Sequence, residues 1–383
     1  MSRKFRLHVI GIPHTRTNKD YVACAYTQKA YKFCKMMTER GHEVIHYGVE
    51  GSNPECSENV VVVSNEVYNK VYGSHDFHRN FFRYDESDEC YTTFYKNTIK
   101  EIRKRLVKND IILPFWGAGV RPICDALEKE AIIIEPGIGY GDGMWAEFKI
   151  FESYSIYHAY CGTASITHCN QNHYEAVIPN YFDINDFSYN PNSRKTDDPY
   201  FLFVGRVYGG KGVHIAMQVC EKLGIKLKIA GQLGEEYQNY EWPENIEYVG
   251  HVNAEQRNEL MRNALASFLP SQYVEPFGGV QIENLLCGTP TITSDWGAFA
   301  ENNIEGITGY RCRTFDDYVQ AAINCFNEKI SFEDCYKHGL NFTLESIALK
   351  YEKFFNDVLN IYDGEGWYQL KDSTKKQIEM LKK

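Results

Sequence analysis

The sequence predicts an α/β protein made of two doubly wound halves, each with a mostly parallel sheet. Short apolar strands alternate with helical stretches in both halves, which is typical of a parallel sheet covered by helices on its two faces. A polar stretch from residue 184 to Pro199, rich in Asn, Pro, Ser and Asp, has the composition of a linker. The 383 residues suffice for two domains of ordinary size. We therefore expect one domain over residues 1–185 and a second over residues 186–361.

The first half is predicted to contain seven strands and three helices, assigned from apolar periodicity and turn residues. The predicted strands are Phe5–Ile12, Glu43–Tyr47, Val60–Ser64, Asp110–Phe115, Ala131–Glu135, Ile156–Cys161 and Tyr174–Ile178. The predicted helices are Tyr26–Arg40, Thr92–Lys108 and Val120–Lys129.

The second half repeats the same alternation. Its predicted strands are Tyr200–Val204, Lys226–Ala230, Ile246–Val249, Ala264–Leu269 and Pro290–Thr293, and its predicted helices are Val213–Leu223 and Val280–Leu286. The tail, Trp367–Lys383, has a helical pattern as well. It is either a frayed amphipathic end or part of a helix, over about residues 362–383, that returns to pack on the first domain.

Composition excludes several classes of protein. A formal net charge of -10 and a pI near 5.7 argue against a nucleic-acid binder. The basic cluster at residues 100–108 falls on a predicted helix, where a solvated face is expected, with an anionic acceptor or a lipid surface as the alternative. Twelve cysteines without a C-x-x-C pair, no secretory leader and no apolar run of ~20 residues indicate a reduced, cytoplasmic protein without a membrane span. No Cys or His spacing suggests a metal site.

Two carboxylates stand out in the segment Ser271–Pro290. The segment follows a short apolar strand, turns at Pro276 and two glycines, and continues as a helix. Glu275 therefore lies in the turn, and Glu283 lies about one turn into the helix. The free N–H groups at the helix start favour an anion between the two carboxylates. The alternative is a capping residue and a solvated surface acid.

This segment resembles the E-x7-E signature of the retaining glycosyltransferases of family 4. The match comprises Ser271, Glu275, Phe277, Gly278, Glu283, Gly288 and Pro290, and it departs at Asn284, Leu285 and Leu286. The resemblance implies the GT-B fold, in which two Rossmann-like domains face each other across a cleft. It assigns Glu275 to the hydroxyls and the oxocarbenium-like centre of the donor sugar, and Glu283 to the ribose hydroxyls. Phe277, Gly278 and Gly279 would lie beside the donor.

A second motif lies after the predicted strand Tyr200–Val204. Gly205, Gly210 and Lys211 nearly spell a Walker A loop, but Gly212 stands where such a loop needs Ser or Thr for Mg²⁺. The stretch resembles instead the family's G-R-x-x-x-x-K-G motif, in which Arg206 and Lys211 would contact the leaving diphosphate. Cations aimed there stabilise the charge that develops as the sugar–phosphate bond breaks. Val249–Val252 resembles the segment that packs on the nucleotide base, so Val252 is a further donor-binding candidate.

The acceptor side is less distinct in the sequence. The polar loop after the first strand begins at Gly11, a donor-binding candidate where family members often have Gly-Gly, and contains His14 as an acceptor-side candidate. The strand ending near Glu135 leads into a glycine-rich loop with Tyr140, and Glu135 and Pro136 stand where the family often has His-Gly. Glu135 and Tyr140 are either further acceptor-side residues or part of a plain loop. Trp116 follows a neighbouring strand and would form either a stacking wall or ordinary core.

The resemblance implies transfer of a hexose, with retention of configuration, from a nucleoside-diphosphate sugar to a glycan or glycolipid acceptor. No D-x-D motif occurs at a suitable strand end, so we expect no metal requirement and no other cofactor. The donor prediction is GDP-mannose, over UDP-glucose or UDP-N-acetylglucosamine. The alternatives are a nucleotide-sugar epimerase or phosphorylase on the same fold, and a non-catalytic binder.

Overall fold

The structure is a computed structural model. It describes residues 3–21, 24–77, 80, 82–140, 145–164, 175–189, 198–363, 368 and 370–382. Part of the predicted linker, residues 190–197, lies outside the described residues. So do residues 141–143 of the glycine-rich loop, and the first residues of the predicted strand Tyr174–Ile178 and of the predicted tail helix.

The first half of the chain forms a parallel sheet of seven described strands. In chain order these strands are β1 (Arg6–Ile10), β2 (Glu43–Val49), β3 (Glu58–Val63), β4 (Ile111–Pro114), β5 (Ile132–Ile138), β6 (Phe148–Phe151) and β7 (Glu175–Val177). The spatial order is β3-β2-β1-β4-β5-β6-β7. The central strands are almost wholly buried, as expected for a sheet covered on both faces.

The second half forms a parallel sheet of six described strands. They are β8 (Tyr200–Val204), β9 (Lys226–Ala230), β10 (Ile246–Gly250), β11 (Ser267–Leu269), β12 (Thr291–Ser294) and β13 (Gly309–Cys312). The spatial order is β10-β9-β8-β11-β12-β13, the same winding as in the first sheet. The prediction of two doubly wound, Rossmann-like α/β domains is confirmed.

Helices connect the strands of both sheets. Those of the first half are α1 (Ala25–Glu39), α2 (Asn65–Tyr72), α3 (Glu89–Arg103), α4 (Arg121–Asp125) and α5 (Tyr154–Ala164). Those that follow are α6 (Val213–Leu223), α7 (Ala254–Asn263), α8 (Gly279–Leu286), α9 (Phe299–Asn302), α10 (Phe315–Phe326), α11 (Phe332–Gly339), α12 (Leu344–Asp363) and α13 (Asp372–Leu381). Within the described ranges, every helix is too short or too polar to span a bilayer.

In each sheet the strand order changes direction once, and this reversal positions the loops that follow the two flanking strands. The reversal lies between β1 and β4 in the first sheet and between β8 and β11 in the second. In such sheets ligands bind in the crevice at the carboxyl ends of the two strands that flank the reversal. Most predicted site residues lie in or just beyond the loops that follow these four strands, whereas Glu135 and Tyr140 lie in and after β5, and Val252 follows β10.

One predicted element is wrong. Residues 156–161, predicted as a strand, belong to the helix α5, and the strand between β5 and β7 is β6 instead. The error arose because a short apolar run does not distinguish a strand from a buried helix. The Ser153 hydroxyl accepts the Ile156 N–H at 3.2 Å at the start of this helix, and Tyr157 and Tyr160 both pack on Phe151, as helical spacing allows.

The chain crosses between the two halves twice, side by side. On the way out the Phe182 N–H donates to the Phe342 carbonyl at 2.9 Å, and on the way back the Leu344 N–H donates to the Phe182 carbonyl at 3.0 Å. The returning helix α12 then packs on α1 and adds Tyr351 and Phe355 to the core of the first half. The sequence prediction assigned this return to residues 362–383, whereas α13 has no buried residue. The domain boundaries themselves stay a prediction.

The basic cluster on α3 is neutralised by carboxylates. Arg103 pairs with Glu130 at 2.8 Å, Lys104 with Glu101 at 2.6 Å and Arg105 with Glu58 at 2.7 Å. Such pairing favours the interpretation of this surface as a solvated face over that of an anion-binding patch.

Candidate active site

The turn after β8 brings backbone and cations to the carboxyl end of the sheet. Gly205 has a φ of 147°, and the Gly231 backbone after β9 approaches its carbonyl so closely that a Cβ at Gly231 would overlap it. Gly212 closes the turn with a φ of 72°, beside the Pro270 carbonyl. Only glycine combines such a dihedral with such an approach at little cost. The turn therefore holds Arg206 and Lys211 at the carboxyl end of the sheet.

The turn after β11 lies directly against this first turn. The Gln272 N–H donates to the Gly210 carbonyl at 2.9 Å, which links the two loops by their backbones. Lys211 Nζ lies 2.8 Å from Glu275 Oε2, and the Ser271 hydroxyl donates to the same oxygen at 3.0 Å. The structure thus joins the two predicted motifs through a partly buried ion pair.

The helix α8 starts at this ion pair. Gly278, in the left-handed region with a φ of 77°, precedes it, and no side chain caps its first N–H groups. A cavity of about 190 Å³ lies here and is lined by Arg206, Lys211, Glu275, Gly278 and Gly279, among others. Free N–H groups, the helix dipole and two cations make this cavity suited to an anion. Phe277 is buried instead, and it packs on Phe182 and Phe342 in the core.

Glu283 lies one turn further along α8, where the sequence prediction placed it. Its side chain is buried, and Oε1 lies 3.3 Å from Arg257 Nη2 on α7. No hydrogen-bond partner for Oε2 occurs among the described residues. The carboxylate borders a cavity of about 340 Å³ beside the domain crossing. Arg257 was missed by sequence reasoning, because nothing in the local sequence shows that α7 brings it to Glu283.

A larger cavity of about 530 Å³ lies between the two sheets. Its wall on the second half includes Arg206, Gln232, His251, Val252 and Arg257, in agreement with the predicted position of Val252. Val280 borders all three cavities, so they adjoin one another along one cleft.

The loops after β1 and β4 form the opposite wall of this larger cavity together with the start of α1 and described residues between α2 and α3. His14 and Trp116 lie here with ring centroids 5.0 Å apart, as neighbours at the reversal of the first sheet. His14 is buried rather than solvated, and its Nδ1 lies 2.8 Å from the Tyr91 hydroxyl. Burial lowers the pKa of His14 to about 3, so the imidazole is neutral near pH 7.

Three predicted candidates lie away from the cleft. Gly11 is buried beside the Tyr47 carbonyl, and Glu135 is fully buried. The Glu135 carboxylate accepts hydrogen bonds from the Tyr140 hydroxyl and from the Trp145 N–H, and burial raises its pKa. None of Gly11, Glu135 and Tyr140 lines the cavities described above. Glu135 and Tyr140 instead anchor the loop between β5 and β6.

No group of three or more His, Cys, Asp or Glu side chains suited to a metal ion occurs in the described ranges. Nucleotide binding measured with and without chelator tests whether the protein requires a metal.

The second-half residues of this site lie within a segment that resembles known proteins. Residues 185–339 match the family model described as glycosyl transferases group 1. A segment of 151 residues is 33% identical to the glycogen synthase of Mycobacterium tuberculosis, and the alignment covers 37% of this chain and 36% of that enzyme. Another of 163 residues is 29% identical to an uncharacterized glycosyltransferase of Methanocaldococcus jannaschii, with 36% and 40% covered. The matched segments thus span less than half the length of these curated relatives.

Solved structures resemble almost the whole chain. AviGT4, a glycosyltransferase involved in avilamycin A biosynthesis, has a TM-score of 0.66 at 16% identity, with 93% of this chain and 98% of that chain covered. Sucrose-phosphate synthase from Thermosynechococcus elongatus gives 0.67 at 15% identity, with 93% and 99% covered. Anabaena HepE, in complex with UDP and glucose, gives 0.65 at 13% identity, with 92% and 99% covered. At these identities the likeness concerns the fold, which is GT-B.

Proposed function

We propose that this protein is a glycosyltransferase that moves a hexose from a nucleoside-diphosphate sugar to a hydroxyl of an acceptor. The observation that supports this most is the joining of Lys211 and Glu275 at the reversal of the second sheet, beside the uncapped start of α8. The matched family segment, residues 185–339, contains the whole of this arrangement.

In this proposal the donor lies along the three adjoining cavities. The diphosphate is held by Arg206, Lys211 and the first N–H groups of α8, where cations and the helix dipole stabilise the departing negative charge. The sugar occupies the small cavity beside Glu275, whose carboxylate accepts hydrogen bonds from its hydroxyls. The base lies against Val252 and His251 in the larger cavity.

Glu283 is proposed to bind the ribose. Glu283 lines the cavity beside the domain crossing, and its buried Oε2 has no partner among the described residues, so a rotation of the carboxylate would let it accept hydrogen bonds from vicinal hydroxyls. The ion pair with Arg257 orients the carboxylate. An ionised acceptor forms stronger hydrogen bonds than a neutral one.

We propose further that transfer proceeds with retention, as the E-x7-E resemblance to family 4 implies. Of the described residues that line the small cavity, Glu275 is the one carboxylate, and it is paired with Lys211. A double displacement would need a second carboxyl group to act as acid and base beside the nucleophile. The arrangement therefore supports front-face substitution, in which the acceptor hydroxyl proton passes to the departing diphosphate.

GDP-mannose remains the proposed donor, and UDP-glucose is the second candidate. The second candidate is favoured by one observation: HepE, which shares the fold, binds UDP and glucose. We propose that catalysis needs no metal, because Arg206, Lys211 and the start of α8 supply the positive charge that a divalent ion would otherwise provide.

The experiment is an incubation of the protein with GDP- and UDP-hexoses, followed by separation of transfer, hydrolysis and epimerisation products. We expect slow hydrolysis without an acceptor and faster release of the nucleoside diphosphate with one. Interconversion of nucleotide sugars without cleavage would point to an epimerase. Release of a hexose 1-phosphate in the presence of phosphate would indicate a phosphorylase, and binding without any product a non-catalytic protein.

A further inference from the structure

Six ring side chains form the first-half wall of the large cavity, which we call the aromatic wall. Its members are His14, Tyr26, Phe77, Phe82, Tyr84 and Trp116. The other described residues that this half contributes to the cavity are Cys24, Ala25 and Asn80. Among all of these there is no Lys, Arg, Asp or Glu.

The rings of the aromatic wall support one another in fixed geometry. Trp116 makes edge-to-face contacts with Tyr26, at 4.8 Å and 87°, and with Tyr84, at 5.1 Å and 88°. Tyr84 also stacks on His14, with centroids 5.1 Å apart. These are the preferred arrangements of aromatic pairs, so the wall is organised before a ligand arrives. Tyr84 is 51% exposed and is therefore the member most accessible to a ligand.

The described members of the wall are electrically neutral, whereas a phosphate-binding surface would be cationic. His14 is neutral near pH 7 because burial lowers its pKa to about 3. The lysines that the first half contributes to the cleft border the cavity beside the domain crossing instead, namely Lys19, Lys29 and Lys32. A phosphate or carboxylate against the aromatic wall would lose hydration without gaining a cation from it, which costs free energy.

We propose that the aromatic wall binds the acceptor, and that this acceptor is uncharged and presents a flat ring, either the face of a sugar or an aromatic ring. This inference rests on the proposed glycosyl transfer. One hydroxyl of the bound acceptor would form the new bond to C1 of the donor sugar. The bond from C1 to the diphosphate oxygen breaks with its electron pair, and the hydroxyl proton leaves with the diphosphate.

The first test compares acceptors, each supplied together with the nucleotide sugar that the protein is found to hydrolyse. The probes are the methyl glycosides, the 4-nitrophenyl glycosides and the 6-phosphates of mannose, glucose and galactose. We expect a neutral glycoside to be glycosylated, with a kcat/KM at least 10-fold above that of the corresponding 6-phosphate. Similar use of methyl and 4-nitrophenyl glycosides identifies a sugar face as the bound ring, and use of the 4-nitrophenyl glycosides alone identifies an aromatic ring.

The second test measures the wall directly. Tyr84→Ala should raise the KM for the neutral acceptor by about 3- to 10-fold, since an aromatic contact of ordinary strength is lost, while the KM for the donor stays unchanged. Tyr84→Phe should behave like the wild type. Tyr362→Ala is the matched control, because Tyr362 is 52% exposed and does not line the cleft.

Two results would overturn this inference. One is a preference for a 6-phosphate over the neutral glycosides, or hydrolysis of the donor with no neutral glycoside accepted. The other is an unchanged acceptor KM in Tyr84→Ala. Both leave the proposed function standing, because the donor is still bound and cleaved. Absence of any binding, hydrolysis or transfer of nucleotide sugars would overturn the proposed function and this inference together.

Discussion

At the scale of single residues, the proposed function depends on a small set of charged side chains at the reversal of the second sheet. Arg206 and Lys211 were identified in the sequence by their resemblance to the G-R-x-x-x-x-K-G motif of family 4. The contact between Lys211 and Glu275 was not predicted, although the two turns follow neighbouring strands, β8 and β11. Arg257 could not be predicted, because its approach to Glu283 depends on how α7 packs against α8.

Replacing Lys211 or Arg206 by Ala should lower hexosyl transfer by ~10²–10³-fold, the loss expected for one preorganised group that stabilises developing charge. The fold should persist, because both side chains border the cleft rather than the core. Steady-state kinetics with saturating donor measures the effect. Lys222→Ala, an exposed lysine in the last turn of α6, is the control. Activity within a few-fold of wild type in either variant would refute the assignment to the diphosphate.

Glu283→Gln should weaken donor binding by ~1–3 kcal/mol, because a charged hydrogen-bond acceptor is replaced by a neutral amide. A 2′-deoxy nucleotide should bind the variant and the wild type about equally, since the contact it lacks is the one removed. Calorimetry with the ribose and deoxyribose nucleotides measures both affinities. Glu221→Gln on the exposed side of α6 serves as the control. Equal discrimination against the deoxy nucleotide in wild type and Glu283→Gln would contradict the ribose role.

His14 should make the protein less stable in mild acid. Its pKa is about 3 in the folded state and near 6.5 when solvated, so between these values the unfolded chain binds a proton that the folded chain does not. Stability therefore falls as the pH drops below 6.5, by about 2 kcal/mol from this group between pH 7 and pH 5. Denaturant titrations at both pH values measure the fall in the free energy of unfolding. This fall should be smaller in His14→Gln than in the wild type by that amount. An equal loss in both proteins would mean that His14 is solvated.

At the scale of elements, the sequence predicted the bounds of an element well where glycine or proline stands at both ends. The strand β8, between Pro199 and Gly205, and the helix α6, between two glycines, agree with their predicted bounds. The strand predicted at residues 156–161 proved to be the helix α5, because periodicity over six residues does not separate the two conformations. Glu135 shows another limit: it lies inside β5, and its carboxylate is buried where local N–H and hydroxyl donors satisfy it.

Gly278 tests whether the start of α8 forms part of the site. Gly278→Ala should lose about 1–2 kcal/mol of stability from the left-handed backbone alone. It should weaken donor binding as well, because the added Cβ would collide with the Phe299 ring and displace the helix start. Thermal unfolding and donor titration measure the two effects.

Gly306→Ala provides the matched control. Gly306 has a φ of 70°, close to that of Gly278, but a Cβ there meets open space. We expect only the backbone part of the stability loss, about 1–2 kcal/mol, and no change in donor affinity. If both variants bind the donor like the wild type, α8 does not hold the diphosphate.

At the scale of the whole molecule, the two sheets present their reversals to one cleft, and contacts across it hold them together. The Ser153 hydroxyl donates to the Pro276 carbonyl at 2.6 Å, next to Glu275. Glu301 accepts the N–H groups of Tyr154 and Ser155 at the start of α5. These contacts connect the first half to the turn that contains Glu275. They could not be predicted from the sequence, because they depend on the relative placement of two domains.

Calorimetry tests whether the cleft binds nucleoside diphosphates without a metal ion. The titrants are GDP, UDP, ADP and their hexose esters, added to the wild-type protein with and without chelator. We expect nucleoside diphosphates to bind in the cleft, GDP more tightly than UDP, and chelator to leave their affinities unchanged. Tighter binding of UDP would replace the proposed donor, and loss of binding with chelator would refute the metal-free mechanism. Absence of binding by every nucleoside diphosphate at about 1 mM, the upper end of ordinary KM values, would contradict the account as a whole.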